Sequence, residues 1–451
     1  MQFGMQKATV DDLRSEQLVN LAIEFQIQRI KSSVPNVEDN PFFVADLGQV
    51  TRQHRRWKLN LPNVQPFYVQ PAVKCNSDPL LLRALAELGT GFDCASIEEM
   101  RSVLALGVDP SRIIFANPCK PAAALDYARE AGILTTVFDN IDELETIHCY
   151  MPDAQLLLRI YANDASALIN FGDKFGAPAG MTHALLKRAK ELSLDVVGVS
   201  FHVGEYDLCS VFYVLSPFTL PQSPPSDTPF YGQYNSVLNQ SVGTGANDLN
   251  SFRKAIQEAR VVFNQAETLG FTMRIVDVGG GFQDKNFGQI ASTIRDSLAD
   301  NFPRTTRFIA EPGRFYTRSA YTLVCRVISR RRQVGEVCKD QPDMLYQNDG
   351  LYGNFMNCLM EKEIFHPILI PDESSLGHRE VRPHRYTIWG PTCDGCDYVV
   401  RDATLRCEAK VRDWLVYKNM GAYTNATATR FNGFSSNILT LYVDSELSGQ
   451  V

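Results

Sequence analysis

Between residues 67 and 313, short runs of β-branched and aliphatic residues alternate with stretches of helical periodicity. This alternation narrows the available folds more than any other feature, because it is the pattern of parallel strands joined by crossover helices. Eight strand segments are readable, at 67–74, 92–95, 113–117, 134–138, 156–160, 196–202, 275–278 and 308–311. The helices between them include 79–88, 96–106 and 250–270; the second opens on Ser96 and Glu99, the spacing of a capping box. Eight strands with intervening helices predict a (β/α)8 barrel.

Beyond Arg314 the pattern changes to strands separated by turns, at 321–327, 344–347, 386–389 and 439–443. These predict a second, β-rich domain. The strand-like PFFVADLG within residues 1–49 is expected to join it. The expected division is therefore 1–49 with the β domain, a barrel over 50–318, and the β domain proper over 319–451.

One stretch does not fit. Residues 205–243 hold five prolines and seven aromatics without a Lys or Arg, between the sixth strand and its helix. Loops at that place usually run to two to six residues. The segment is thus a functional lid, a disordered excursion or an error of the gene model.

Charge excludes one class of partner. With 44 basic against 51 acidic residues the formal net charge is -7, so no basic face for a phosphate backbone is implied. No apolar run reaches the roughly 18 to 20 residues that span a bilayer. The N-terminal MQFGMQKATVDDLRSEQ lacks the apolar stretch of a secretory signal, and a cytoplasmic location is expected. Eleven cysteines without a framework spacing read as free thiols. Cys393 and Cys396 form a CxxC pair, but no second ligand pair lies nearby, so no metal site is expected.

On such a barrel the chemistry sits at the C-terminal ends of the strands. Lys74 ends the first segment, Asp93 lies in the second, Arg159 is near the end of the fifth and His202 ends the sixth. Gly279, Gly280 and Gly281 follow the seventh, and Glu311 and Arg314 follow the eighth. A desolvated lysine is a good Schiff-base former. A glycine run donates backbone N–H groups to phosphate, Arg314 adds a charged fork, and a carboxylate at Glu311 can keep a ring nitrogen protonated. Each has an ordinary reading alone: a salt-bridged lysine, a tight turn, a satisfied core histidine. Together they describe a pyridoxal 5'-phosphate site, with His202 stacked on the ring.

The motifs PAVKCN (71–76), GFDCAS (91–96), ANPCK (116–120), VVGVSFHVG (196–204), VDVGGGF (276–282), AEPGR (310–314), NDGLYGNF (348–355), WGPTCDG (389–395) and NMGAYT (419–424) closely resemble the eukaryotic ornithine decarboxylase family. The resemblance runs from about residue 40 to 444 and implies the fold-type III, alanine racemase-like architecture. It also implies a head-to-tail homodimer with active sites at the interface. It makes Lys74 the Schiff-base lysine and His202 the stacked imidazole, and pairs Glu311 with the pyridine nitrogen. Gly279 to Gly281, Arg314 and Tyr423 would hold the phosphate, with Asp93 and Arg159 in the cofactor shell. Cys393, coming across the interface, would protonate the substrate carbon after carbon dioxide leaves. Asp349 and Asp394 would receive the distal amine of L-ornithine, and Phe431 would line the substrate pocket. A thiol, with a free pKa of about 8.5, is a usable acid near neutral pH.

The resemblance carries alternatives. A catalytically impaired homologue would act as an antizyme inhibitor, although the residues named above are all present. Lysine or arginine decarboxylation is separable only by pocket length. Three departures stand out. Where the family follows His-Val-Gly with a Ser-Gly pair whose hydroxyl touches phosphate, the matching Thr244-Gly245 comes 39 residues late. Val69, Gln70 and Pro71 read as a three-residue insertion in the first strand, and the proline removes a ladder donor. With Val451 the last residue, the family's degradation-promoting tail is expected to be lacking, and the segment 120–132 that matches the antizyme-binding helix is thinly basic. The expectation is that both insertions are mis-spliced sequence. Transcripts that nearly all retain 205–243 would contradict it.

Overall fold

The computed structural model describes residues 10–32, 40–69, 75–162, 174–203, 249–334, 341–372, 379–434 and 438–446. Strand β1 (Phe42–Asp46) precedes the barrel. The barrel closes through β2 (Val64–Val69), β3 (Gly91–Cys94), β4 (Ile113–Phe115), β5 (Thr135–Phe138), β6 (Gln155–Arg159), β7 (Asp195–Ser200), β8 (Ile275–Asp277) and β9 (Arg307–Ala310). All eight expected strands are present, parallel, and in chain order, with β2 against β9 sealing the ring.

The lumen is filled rather than open. Phe67, Ile114, Val137, Leu157, Val197, Ile275 and Ile309, one side chain from each of seven strands, form a closed apolar cluster. Each buried side chain of this kind contributes roughly 1.5 to 3 kcal/mol. The alternate positions Tyr68, Phe92, Phe115, Phe138, Leu158 and Val196 face the helices in the larger core. This two-sided burial is why the barrel strands read as continuous apolar runs.

The helix after β3, Ile97–Leu104, is capped by Ser96 as expected: its Oγ accepts from the Glu99 N–H at 3.3 Å, and the Glu99 carboxylate reaches back to accept from the Ala95 N–H.

The second sheet contains β10 (Tyr321–Arg331), β11 (Asp343–Gln347), β12 (Ile368–Ile370), β13 (His384–Trp389), β14 (Tyr398–Leu405), β15 (Trp414–Tyr417) and β16 (Leu439–Val443). Its path runs β12-β15-β10-β11-β13-β14. β1 pairs antiparallel with β10 and parallel with β16, so the segment before the barrel does return to this sheet. Strands β12, β14 and β15 and the N-terminal helix Val10–Ser32 were not anticipated. Among the described residues no helix is long and apolar enough to cross a membrane.

Candidate active site

The loop after β8 is built around two left-handed glycines. Gly279 (φ 62°) and Gly281 (φ 89°) adopt a conformation that disfavours a side chain. A Cβ at Gly279 would collide with the Phe201 carbonyl, and one at Gly281 with the Val203 carbonyl. The glycines therefore let this loop run against the segment that carries His202. The Gly279 N–H donates to Asp277 Oδ1 at 3.0 Å, and the Glu311 N–H donates to the Gly279 carbonyl at 2.7 Å. Three strand ends are thereby tied into one unit.

Within that unit His202 Nδ1 lies 3.1 Å from Glu311 Oε2 and 3.3 Å from the Gly280 nitrogen. One ring nitrogen cannot donate and accept at once. The carboxylate is the closer, charged partner, which assigns the Nδ1 proton to the Glu311 contact. Burial pushes the Glu311 carboxyl up, but the hydrogen bond and charge of His202, with contributions from Asp277 and Arg159, outweigh it and hold the group at about 2. Glu311 is thus an ionised carboxylate at every ordinary pH. Asp277, fully buried beside it, moves the other way, raised by burial and by the Glu311 charge.

Arg314 lies on the short helix Gly313–Thr317 that follows Glu311. The Arg314 guanidinium sits over the Tyr423 ring, 4.7 Å from its centroid, and is ion-paired with Glu361. Tyr423 holds a left-handed backbone (φ 57°) and donates its N–H to the Cys75 carbonyl at 2.8 Å. A non-glycine residue in this region marks a conformation enforced by its surroundings. Lys74 falls in 70–74, outside the described residues, but its neighbour Cys75 is fastened directly to Tyr423. Asp93, in β3, is buried and adds to the field raising Asp277. Arg159 ends β6 with its guanidinium 5.3 Å from the centre of the Phe175 ring. Thr244 lies outside the described residues, as does the 205–243 segment.

A second group gathers in the β domain. Asp349 Oδ1 accepts from the Gly350 and Asn354 N–H groups at 2.8 and 3.0 Å, and Oδ2 from Asn354 Nδ2 at 2.6 Å. Burial outweighs those bonds and raises the carboxyl to about 6. The Tyr352 hydroxyl donates to Asp394, which lowers the Asp394 carboxyl and raises the phenol to about 12. Phe431 packs on Tyr352 with ring centroids 4.4 Å apart. The exposed Cys393 donates its backbone N–H to Asn432 Oδ1 at 3.2 Å. Asp397 organises the loop by accepting from the Leu351 and Thr392 N–H groups. Asp349, Tyr352 and Phe431 line a small cavity of about 40 Å³.

In one chain the contacts of Cys393 and Asp394 run to Asn432, Tyr352, Thr392 and Cys396 rather than to the barrel residues. The larger cavity, about 710 Å³ and lined by Leu61, Val64, Arg295 and Arg304, opens at the N-terminal ends of the strands, away from both groups. Sequence reasoning missed Asp277, Tyr352, Asn354, Glu361 and Asp397 as site residues. Asp277, Tyr352 and Asn354 lie inside quoted motifs, so position in a motif was their only signal.

The barrel group suits pyridoxal phosphate. A side-chain-free loop offers backbone N–H groups to a phosphate, the stacked Arg314 and Tyr423 offer a cation and a phenol of the kind that group takes, and an ionised carboxylate stands ready for a protonated ring nitrogen.

Comparison with known proteins gives a consistent picture. The family model "pyridoxal-dependent decarboxylase, pyridoxal binding domain" matches residues 47–207 and 238–318, and skips an interval inside the 205–243 segment. Ornithine decarboxylase of Neurospora crassa is 42% identical, covering 96% of this chain and 87% of its own. Antizyme inhibitor 2 of Xenopus laevis is 38% identical over 91% of this chain and 83% of its own. Among solved structures, the arginine decarboxylase of Paramecium bursaria Chlorella virus superposes with a TM-score of 0.78 at 30% identity, covering 94% of this chain and all of that one.

Proposed function

The chain belongs to the pyridoxal-dependent decarboxylases, and from that membership we propose that it converts L-ornithine to putrescine and carbon dioxide, the first step of polyamine synthesis. The observation that carries the reading is the ionised Glu311 held by His202 above the Gly279–Gly281 loop. Bound pyridoxal phosphate supplies an electron sink for the electron pair left when the carboxyl group departs. Glu311 keeps a proton on the ring nitrogen, and His202 is oriented by Glu311 to lie against the ring. The Gly279–Gly281 loop, through the N–H groups of Gly280 and Gly281, binds phosphate with Arg314, Tyr423 and Thr244; Lys74 anchors the cofactor and Asp93 and Arg159 complete its shell.

Asp349 and Asp394 receive the distal ammonium, selecting a diamino acid over an uncharged one. Phe431 and Tyr352 wall that end of the pocket. Cys393 holds the proton delivered to the substrate carbon. The contacts of Cys393 and Asp394 stay within the β domain, which supports a head-to-tail homodimer in which these residues serve the partner's barrel. A cytoplasmic location and the division 1–49, 50–318 and 319–451 belong to the same proposal.

The test is purified protein with pyridoxal phosphate and L-ornithine, L-lysine or L-arginine, scored for carbon dioxide and diamine. Putrescine as the main product supports the reading. No product from any of the three, together with tight antizyme binding, would favour the regulatory alternative that the Xenopus laevis relative raises.

A further inference from the structure

Asp277 is 1% exposed and ends β8. Its Oδ1 is occupied by the Gly279 N–H at 3.0 Å, while Oδ2 is buried and receives no hydrogen bond from any donor among the described residues. A buried carboxylate oxygen without a donor is costly, and such an oxygen in a native site calls for an explanation. Glu311 is tied to the same glycine, its N–H donating to the Gly279 carbonyl at 2.7 Å, and its carboxylate, itself an acceptor, is the side chain that acts on Asp277. Two acceptors can be neighbours in a buried site only if one of them carries a proton.

We propose that Asp277 is a neutral carboxylic acid that donates through Oδ2 to Glu311, so that the pair holds one proton and one negative charge. The surroundings decide which oxygen carries which. Glu311 has His202 and Arg159 on its side, both of which favour an anion. Among the described residues Asp277 faces the charges of Glu311 and Asp93, which oppose its ionisation, while the Gly279 N–H favours it. The proton therefore stays on Asp277 and the charge on Glu311. Asp277 acts as a positioning residue: it fixes the Glu311 carboxylate from the side opposite His202 and pins the glycine loop with its other oxygen. This deepens the proposed function, because the charge it places is the one that faces the ring nitrogen.

The sign of the effect on stability is opposite to that of an ordinary salt-bridged aspartate. The folded-state value is raised, so folding takes up a proton, and stability is lost as pH rises above the unfolded value of about 4. An asparagine mimics the neutral acid, with its oxygen for Gly279 and its NH2 for Glu311, and is free of this loss.

The experiment uses the cofactor-free chain, so that it stands apart from activity. Melting of wild type, D277N and D277A is followed from about pH 5 to about pH 8. D277N should melt at or above wild type, by a margin that widens with pH, while D277A melts below both. Infrared spectra near pH 8 should show the carbonyl stretch of a protonated carboxylic acid in wild type, lost in D277N. If D277N does not fold, the wild-type band alone decides. Absence of that band, or a D277N variant as destabilised as D277A, overturns the proposal. Failure to decarboxylate ornithine with the band intact would instead count against the proposed function only.

Discussion

His202 Nδ1 and Glu311 Oε2 lie 3.1 Å apart although 109 residues separate them in the chain. One follows β7 and the other β9, so their contact exists only because the barrel brings these strand ends together. The pairing orients the imidazole and keeps the carboxylate charged, with the result that Glu311 does not titrate in any pH range where the protein works.

Glu311→Gln removes that charge while keeping the shape. The expected result is a kcat lower by about 100-fold or more, the usual scale for deleting one preorganised electrostatic group. Far-ultraviolet circular dichroism should be unchanged. Steady-state kinetics on L-ornithine with saturating pyridoxal phosphate checks it.

Asp349 supplies the pH dependence. Its carboxyl is raised from 3.8 to about 6, so below about pH 6 it is neutral and cannot pair with a substrate ammonium. KM for L-ornithine should rise roughly 10-fold per pH unit below that point, and Asp349→Asn should flatten the profile at a uniformly high KM. Because the native state binds this proton more tightly than the unfolded chain, the stability it provides is present below the unfolded value and lost as pH rises through about 6. Asp349→Asn should therefore gain on the order of 2 to 3 kcal/mol at pH 8 relative to pH 4 in denaturant unfolding.

Gly279→Ala places a methyl group against the Phe201 carbonyl at a backbone angle that disfavours it. A loss of about 1 to 3 kcal/mol is expected, with weaker retention of pyridoxal phosphate on dialysis. Gly288→Ala, in the helix Phe287–Asn301 with open space around the added carbon, is the matched control and should be neutral or slightly stabilising.

Tyr352→Phe deletes the hydroxyl that donates to Asp394 but keeps the ring against Phe431. Losing the contact that orients Asp394 should raise KM for L-ornithine with kcat little changed, as read by steady-state kinetics.

The barrel was legible because its strands are buried on both faces, which leaves dense apolar runs such as Leu156, Leu157 and Leu158 in β6. Strand β14 escaped because it carries Arg401 and Asp402 on an exposed stretch, and β12 because three residues set no period. The N-terminal helix buries only Ile23, Gln26 and Ile27, too few for a clear apolar stripe. At the site, residue types at strand ends named His202, Glu311 and the glycines. Local sequence held no sign that Asp277 meets Glu311 or that Tyr352 meets Asp394, since these are tertiary contacts between segments 34 and 42 residues apart. For Lys74 and Thr244 the sequence remains the sole source, both being outside the described residues.

The central claim is tested most directly by following the carboxyl carbon of L-ornithine in the presence of pyridoxal phosphate, with wild type and Lys74→Ala side by side. Carboxyl-labelled substrate should lose its label as carbon dioxide with wild type, in step with putrescine, and should be untouched by the variant. Label release that is absent from wild type despite bound cofactor, or equal in the two proteins, would contradict the account.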